Sequence, residues 1–165
     1  MNPPFDMHLL EKIKARLLKR KETIAVAESV TAGLLQNAFS QVTDATQIFH
    51  GGITTYNLGQ KVRHLNVEPI YAEECNCVSD KVSAEMALNV SKNFVSHWAI
   101  ASTGYATPVP ELSINKIFVL YAISHNGKIV KRGKISNVGG NSYSVQLAYT
   151  DKILQSFYKK LVEVK

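Results

Sequence analysis

The chain has 165 residues, of which 45% are hydrophobic and 19% charged, a composition that is typical of a globular domain and excludes a disordered chain. Its net charge is +6, and basic residues crowd the N-terminal segment, at Lys12, Lys14, Arg16, Lys19, Arg20 and Lys21. No aromatic residues alternate with them in a recognition motif, so we interpret them as a solvated face and predict no nucleic-acid partner.

The sequence also argues against two further classes, membrane or exported proteins and zinc-binding proteins. No apolar run approaches the roughly 20 residues of a membrane helix, and the N-terminus lacks the apolar core of a signal peptide, so we expect a cytoplasmic protein without a membrane partner. Cys75 and Cys77 form a single C-x-C pair, whereas a structural zinc site needs four ligands. We therefore predict reduced thiols, no metal and no cofactor.

The predicted elements alternate between helix and strand along most of the chain. In order, they are a helix over 6–21, a strand over 24–27, a helix over 35–42, a strand over 48–56, a turn and short helix over 57–67, an irregular segment over 68–78, a helix over 79–94, a strand over 98–102, a loop over 103–108, strands over 117–124 and 128–136, and a helix over 143–162. Asn126-Gly127 favours a type I′ turn, so the last two strands should form a hairpin.

This order predicts one α/β domain over residues 1–165. We expect three α/β/α layers around a mixed, mostly parallel sheet, with a β-hairpin in the C-terminal half. Ligands of such sheets bind beyond the carboxyl ends of the parallel strands. Ser29, the residues after Tyr56 and the loop at Thr103 each follow a strand, so we predict that they share one cleft with Lys61.

The segment from Glu28 to Gly33 links a strand directly to a helix. Backbone N–H groups and the positive end of the helix dipole converge at such a turn, which can hold an anion or stabilise charge developing on an oxygen. Ser29 is placed either to act as a nucleophile or only to cap the helix, and the turn alone leaves both roles open.

The order and spacing of several motifs resemble a known family. They are Ala27-Glu28-Ser29, Thr31, Gly33, Gly51-Gly52, Thr55-Tyr56, Lys61, Val78-Ser79, Glu85-Met86-Ala87 and Thr103-Gly104. The pattern is similar to the C-terminal domain of the competence-inducible protein CinA, whose stand-alone members are nicotinamide-nucleotide amidases. The resemblance implies deamidation of nicotinamide mononucleotide, with a pyridine nucleotide or related amide as the small-molecule substrate, and it leaves a homo-oligomer open.

The resemblance also implies roles for individual residues. Ser29 would attack the amide carbonyl and a neutral Lys61 would take its proton, while Tyr56 and Thr103 would relay protons or orient Lys61. The N–H groups of Val30 and Thr31 would receive the oxyanion. The residues expected to bind substrate are Glu28, Val30, Thr31, Gly33, Gly51, Gly52 and Gly104.

Departures from the family pattern fall mainly on the substrate-binding part. Ala32 replaces the first glycine of a pair, the glycine-rich loop after Pro108 is shortened, and residues 139–145 contain no arginine where the family has one. Glycine-loop N–H groups and arginine would hold a phosphate, so we predict weak phosphate recognition. Two interpretations stay open: an amidohydrolase, with the family's substrate or a changed one, and a non-catalytic protein that binds a small ligand or partner.

Overall fold

In a computed structural model, which describes residues 3–164, the chain forms six α-helices and five strands. The helices are α1 (Met7–Arg20), α2 (Leu34–Ser40), α3 (Leu58–Leu65), α4 (Pro69–Glu74), α5 (Asp80–Asn93) and α6 (Ser142–Glu163). The strands are β1 (Ile24–Glu28), β2 (Phe49–Thr54), β3 (Trp98–Tyr105), β4 (Phe118–His125) and β5 (Lys128–Ser136).

The five strands form one mixed sheet in the order β2-β1-β3-β4-β5. β1 pairs in parallel with β2 and β3, whereas β4 pairs antiparallel with both β3 and β5. The predicted α/β class is therefore confirmed, but parallel and antiparallel pairings are equally numerous, so the sheet is not mostly parallel. The reason is that no α-helix connects β3 to β4, and a parallel pairing needs a crossover that is usually an α-helix.

The predicted hairpin joins β4 to β5. His125 pairs with Lys128, and the two residues between them have positive φ angles, 48° at Asn126 and 74° at Gly127. A type I′ turn requires positive φ at both central positions, which asparagine and glycine adopt at low cost. The prediction is confirmed.

Helices cover both faces of the sheet. One buried cluster joins α1, α2 and α6 to the sheet through residues such as Leu10, Phe39 and Phe157. A second buried cluster joins α5 to the opposite face, where Met86 and Val90 pack against the alanines of the central strands. β1 is buried along its whole length because it is covered on both faces, as its continuous apolar run predicts.

Two boundaries differ from the prediction. The segment predicted to be irregular contains α4, which begins with Pro69 and is capped by the Glu68 carboxylate, an acceptor from the N–H groups of Ile70 and Tyr71. β3 extends to Tyr105 because it pairs with β4 to its end, so Thr103 and Gly104 lie on a strand and not in a loop. Over residues 3–164, no helix combines the length and apolarity that crossing a bilayer requires.

Candidate active site

A cavity of about 530 Å³ opens at the carboxyl ends of β1, β2 and β3. The side chains of Ser29, Tyr56, Lys61 and Thr103 all line it, so the common cleft predicted from the strand ends is confirmed. The size is within the range of small-molecule sites, which are usually clefts of roughly 300–1,000 Å³.

Ser29 and Lys61 meet at the bottom of this cavity. Asn57 caps α3 by accepting a hydrogen bond from Gln60 N–H, and the helix then directs Lys61 inward. Lys61 Nζ lies 3.0 Å from Ser29 Oγ and donates to the backbone carbonyl oxygen of Thr55 at 2.8 Å. The lysine is only 1% exposed, so its amine is held against the serine hydroxyl and away from water.

Burial lowers the pKa of Lys61 below 10.5, because removing an ammonium group from water disfavours its charged form; the nearby Cys77 side chain opposes this effect. None of the ion pairs among residues 3–164 involves Lys61, so no carboxylate compensates the buried charge. A neutral amine keeps one N–H for Thr55 and offers its lone pair to the Ser29 hydroxyl. The pair can therefore act as nucleophile and general base.

Glu28 organises the turn from inside the protein. It is fully buried, and its carboxylate accepts hydrogen bonds from Thr31 Oγ1 at 2.6 Å and from the N–H groups of Gly33, Leu35 and Gln36 at 2.8–3.1 Å. The prediction that Glu28, Thr31 and Gly33 bind substrate therefore needs correction, since none of them lines the cavity. At the N-terminus of α2, Leu35 and Gln36 N–H donate to Glu28 and Leu34 N–H donates to Thr31 O, so these amides are not available to a ligand.

Two amides of the turn remain free for an anion. Val30 and Thr31 N–H donate no hydrogen bond to any residue in the range 3–164, and Val30 lines the cavity next to Ser29. The turn is held by a bond from Ala32 N–H to Ser29 O at 3.1 Å, with Ala32 in the left-handed region at φ 50°. Val30 therefore lies at the cavity surface beside Ser29, whereas Thr31 is fully buried and does not line the cavity.

The other three glycines predicted to bind substrate differ in position. Gly51 and Gly52 lie on β2 outside the cavity, which corrects that prediction; a Cβ at Gly52 would be 2.6 Å from Val26 Cγ2, and one at Gly51 would be 2.9 Å from the Phe94 ring. Close packing therefore explains both. Gly104 does line the cavity, and a Cβ there would also meet Phe118 O of the neighbouring strand at 2.2 Å.

Thr103 and Tyr56 do not orient Lys61 in this structure. Thr103 Oγ1 donates to the carbonyl oxygen of Cys77 at 2.8 Å and so holds the connection between α4 and α5 against the cavity. Tyr56 is 70% exposed and lies at the mouth. Lys61 is oriented instead by the backbone carbonyl of Thr55. A pattern of side chains in the sequence cannot reveal a contact with a backbone group. Cys77, for which the sequence predicted only a reduced thiol, also lines the cavity.

Known proteins are similar to this chain over most of its length. The family model described as the CinA C-terminal domain matches residues 6–161. A CinA-like protein of Prochlorococcus marinus subsp. pastoris is 30% identical over 155 residues, which cover 92% of this chain and 36% of that protein. The chain thus spans only about a third of the length of this curated relative.

Solved structures agree with the fold. A competence-damaged protein (CinA) superfamily protein from Enterobacter cloacae superimposes with a TM-score of 0.88 at 24% identity, covering 98% of this chain and 95% of that one. The competence damage-inducible protein A (ComA) from Klebsiella pneumoniae gives 0.89 at 21% identity, covering 98% and 99%. At this level of identity the likeness concerns the fold alone.

Proposed function

Because this chain belongs to the CinA C-terminal domain family, we propose that it is an amidohydrolase that releases ammonia from the carboxamide of a pyridine nucleotide or a related compound. The observation that carries the proposal is the 3.0 Å separation of Ser29 Oγ from the buried, lowered-pKa amine of Lys61. A nucleophile and a base at this distance are the minimum set for acyl transfer.

In the acylation step, Ser29 Oγ attacks the amide carbon while its proton passes to Lys61 Nζ. The carbonyl oxygen becomes an oxyanion, for which the Val30 N–H group at the cavity surface is the available donor of the turn. When the tetrahedral intermediate collapses, Lys61 returns the proton to the departing nitrogen. Ammonia leaves, and the acyl group stays on Ser29 as an ester.

Deacylation uses the same groups in reverse order. A water molecule attacks the ester carbon and gives its proton to Lys61, which then protonates Ser29 Oγ as the ester bond breaks. The product is the free acid, which loses its proton to solvent as a carboxylate. Lys61 is neutral again at the end of the cycle, while Thr55 O keeps the amine in position throughout.

The test is an ammonia-release assay on nicotinamide mononucleotide, nicotinamide riboside and nicotinamide. Replacing Ser29 by Ala should lower kcat/KM by at least about 10³-fold, since the nucleophile is lost. Ser142→Ala is the matched control, because Ser142 lines the same cavity but makes no hydrogen bond with Lys61. Equal ammonia release by wild type and Ser29→Ala would refute the mechanism. No release from any of the three amides would favour the non-catalytic, ligand-binding alternative.

A further inference from the structure

The cavity contains little positive charge. Among the described residues that line it, the charged side chains are Lys61 and Glu73, and no arginine is present. In the proposed reaction Lys61 is neutral before it accepts the serine proton. Lys61 is only 1% exposed, whereas Glu73 is exposed at the C-terminal end of α4, so Glu73 is the charged side chain of the lining that faces solvent.

Residues 108–114, in the connection after β3, have few backbone donors left for a phosphate. Val109 and Ile114 exchange hydrogen bonds, with N–H to O distances of 2.9 and 3.1 Å, and Leu112 and Ser113 N–H also donate within the loop. Pro108 and Pro110 have no N–H group. Over residues 108–114, Glu111 alone keeps an N–H that donates to no described residue. Residues 108–114 therefore offer a phosphate one free amide.

Aromatic side chains line the cavity instead. Tyr105 is held in place by a hydrogen bond from Asn76 Nδ2 to its hydroxyl at 3.0 Å and by an edge-to-face contact with Phe118. Tyr56 lines the mouth with 70% of its surface exposed. Aromatic faces attract flat rings, and they attract cations such as quaternary nitrogen through the ring quadrupole.

We propose that this site accepts a cationic aromatic amide without a phosphate group, and that Glu73 selects it by charge. The inference rests on the proposed amidohydrolase function and specifies its substrate class. An N-ribosylated pyridinium carboxamide carries one positive charge, whereas its 5′-phosphate adds nearly two negative charges at neutral pH. The Glu73 carboxylate attracts the first compound, whereas the described lining offers the phosphate of the second no arginine.

The charge of the substrate also acts on the base. A pyridinium ring bound beside Lys61 repels a proton on its amine and so increases the neutral fraction that can receive the Ser29 proton. A phosphate dianion in the same cavity would stabilise the ammonium form. The cationic substrate is therefore favoured both in binding and in the protonation state that the reaction needs.

Binding is measured separately from turnover. The dissociation constants of nicotinamide riboside and nicotinamide mononucleotide for the Ser29→Ala variant are determined by calorimetry, and kcat/KM for both is determined with the wild type. We expect the riboside to be preferred by at least about tenfold in Kd at low salt, with the preference shrinking as ionic strength rises. Preference for the nucleotide, or no binding of either compound, would overturn the inference.

Glu73 is tested against its neighbour on the same helix. Glu73→Gln, made in the Ser29→Ala background, should reduce the Kd ratio of the two compounds by about fivefold, the size expected for one exposed charge. Glu74→Gln is the matched control, since Glu74 is also exposed but does not line the cavity, and it should leave the ratio within about twofold. A ratio unaffected by Glu73→Gln would contradict the role of this residue.

The outcomes separate the two proposals. Riboside preference in Kd without ammonia release would refute the amidohydrolase and retain the charge selection as a property of a ligand-binding site. Ammonia release with a preference for the nucleotide would retain the amidohydrolase and refute the charge selection. A further variant, Glu73→Lys, should move the ratio of the two Kd values toward the nucleotide, because it replaces the negative charge with a positive one.

Discussion

Replacing Lys61 by Met tests whether burial makes the charged form of the candidate base unfavourable in the folded protein. Methionine has a similar length and fills most of the same space without a charge. The variant loses the contacts of Nζ with Ser29 Oγ at 3.0 Å and with Thr55 O at 2.8 Å. It also removes the cost of a buried ammonium group that has no carboxylate partner in the described part of the chain.

The two effects have different pH dependences. Above pH 10.5 the lysine is neutral in both the folded and the unfolded states, so the wild type should be more stable by about 1–3 kcal/mol, the value of two hydrogen bonds. At lower pH the unfolded chain binds the proton more tightly, because burial lowers the pKa of Lys61 only in the folded state. Each unit of that lowering subtracts about 1.4 kcal/mol from the stability of the wild type.

The free energy of unfolding in urea is therefore measured between pH 7 and pH 10.5 for wild type and Lys61→Met. The difference, wild type minus variant, should increase with pH through this interval and level off only above 10.5, and kcat/KM of the wild type should rise over the lower part of the same interval. Lys12→Met, at an exposed position of α1, controls for general effects of losing one lysine. A difference that stays constant with pH would refute a lowered Lys61 pKa, and with it the general-base role.

Three further predictions concern the scaffold. Glu28→Gln should lower the free energy of unfolding by about 2–4 kcal/mol in urea denaturation, because its carboxylate accepts four hydrogen bonds in the buried turn; a change below 0.5 kcal/mol would contradict that role. Gly104→Ala should destabilise by at least about 1–3 kcal/mol and lower Tm, since its Cβ would lie 2.2 Å from Phe118 O, and an unchanged Tm would argue against this close approach. The pKa of Glu22 is lowered to about 2: burial opposes the shift, and hydrogen bonds from Arg20 and Trp98 outweigh it. Its stabilisation is present above pH 4.5 and is lost as the pH falls toward 2, so acid titration of the unfolding free energy should show a loss of about 1–2 kcal/mol that Glu22→Gln lacks.

The local pattern of the sequence determined most of the secondary structure and the position of the site. The apolar run of β1, the spacing of α5 and the Asn126-Gly127 turn are each specified within a few residues, because periodicity and φ preferences are local properties. The order of strands and helices then placed Ser29 at a strand end, where α/β sheets hold their ligands. Only the resemblance to a family assigned a role to Lys61, since a single lysine in a short helix has no distinctive pattern.

The tertiary structure alone decided which polar groups face the cavity and which support it. The Glu28 carboxylate accepts a hydrogen bond from Gln36 N–H in α2, Thr103 Oγ1 donates to Cys77 O, and Lys61 Nζ donates to Thr55 O. The side chain types permit either role, because a carboxylate or hydroxyl can serve a ligand or the backbone equally well. The choice depends on which donors and acceptors the folded chain brings within about 3 Å, and whether a polar side chain faces the cavity or the backbone is set by packing.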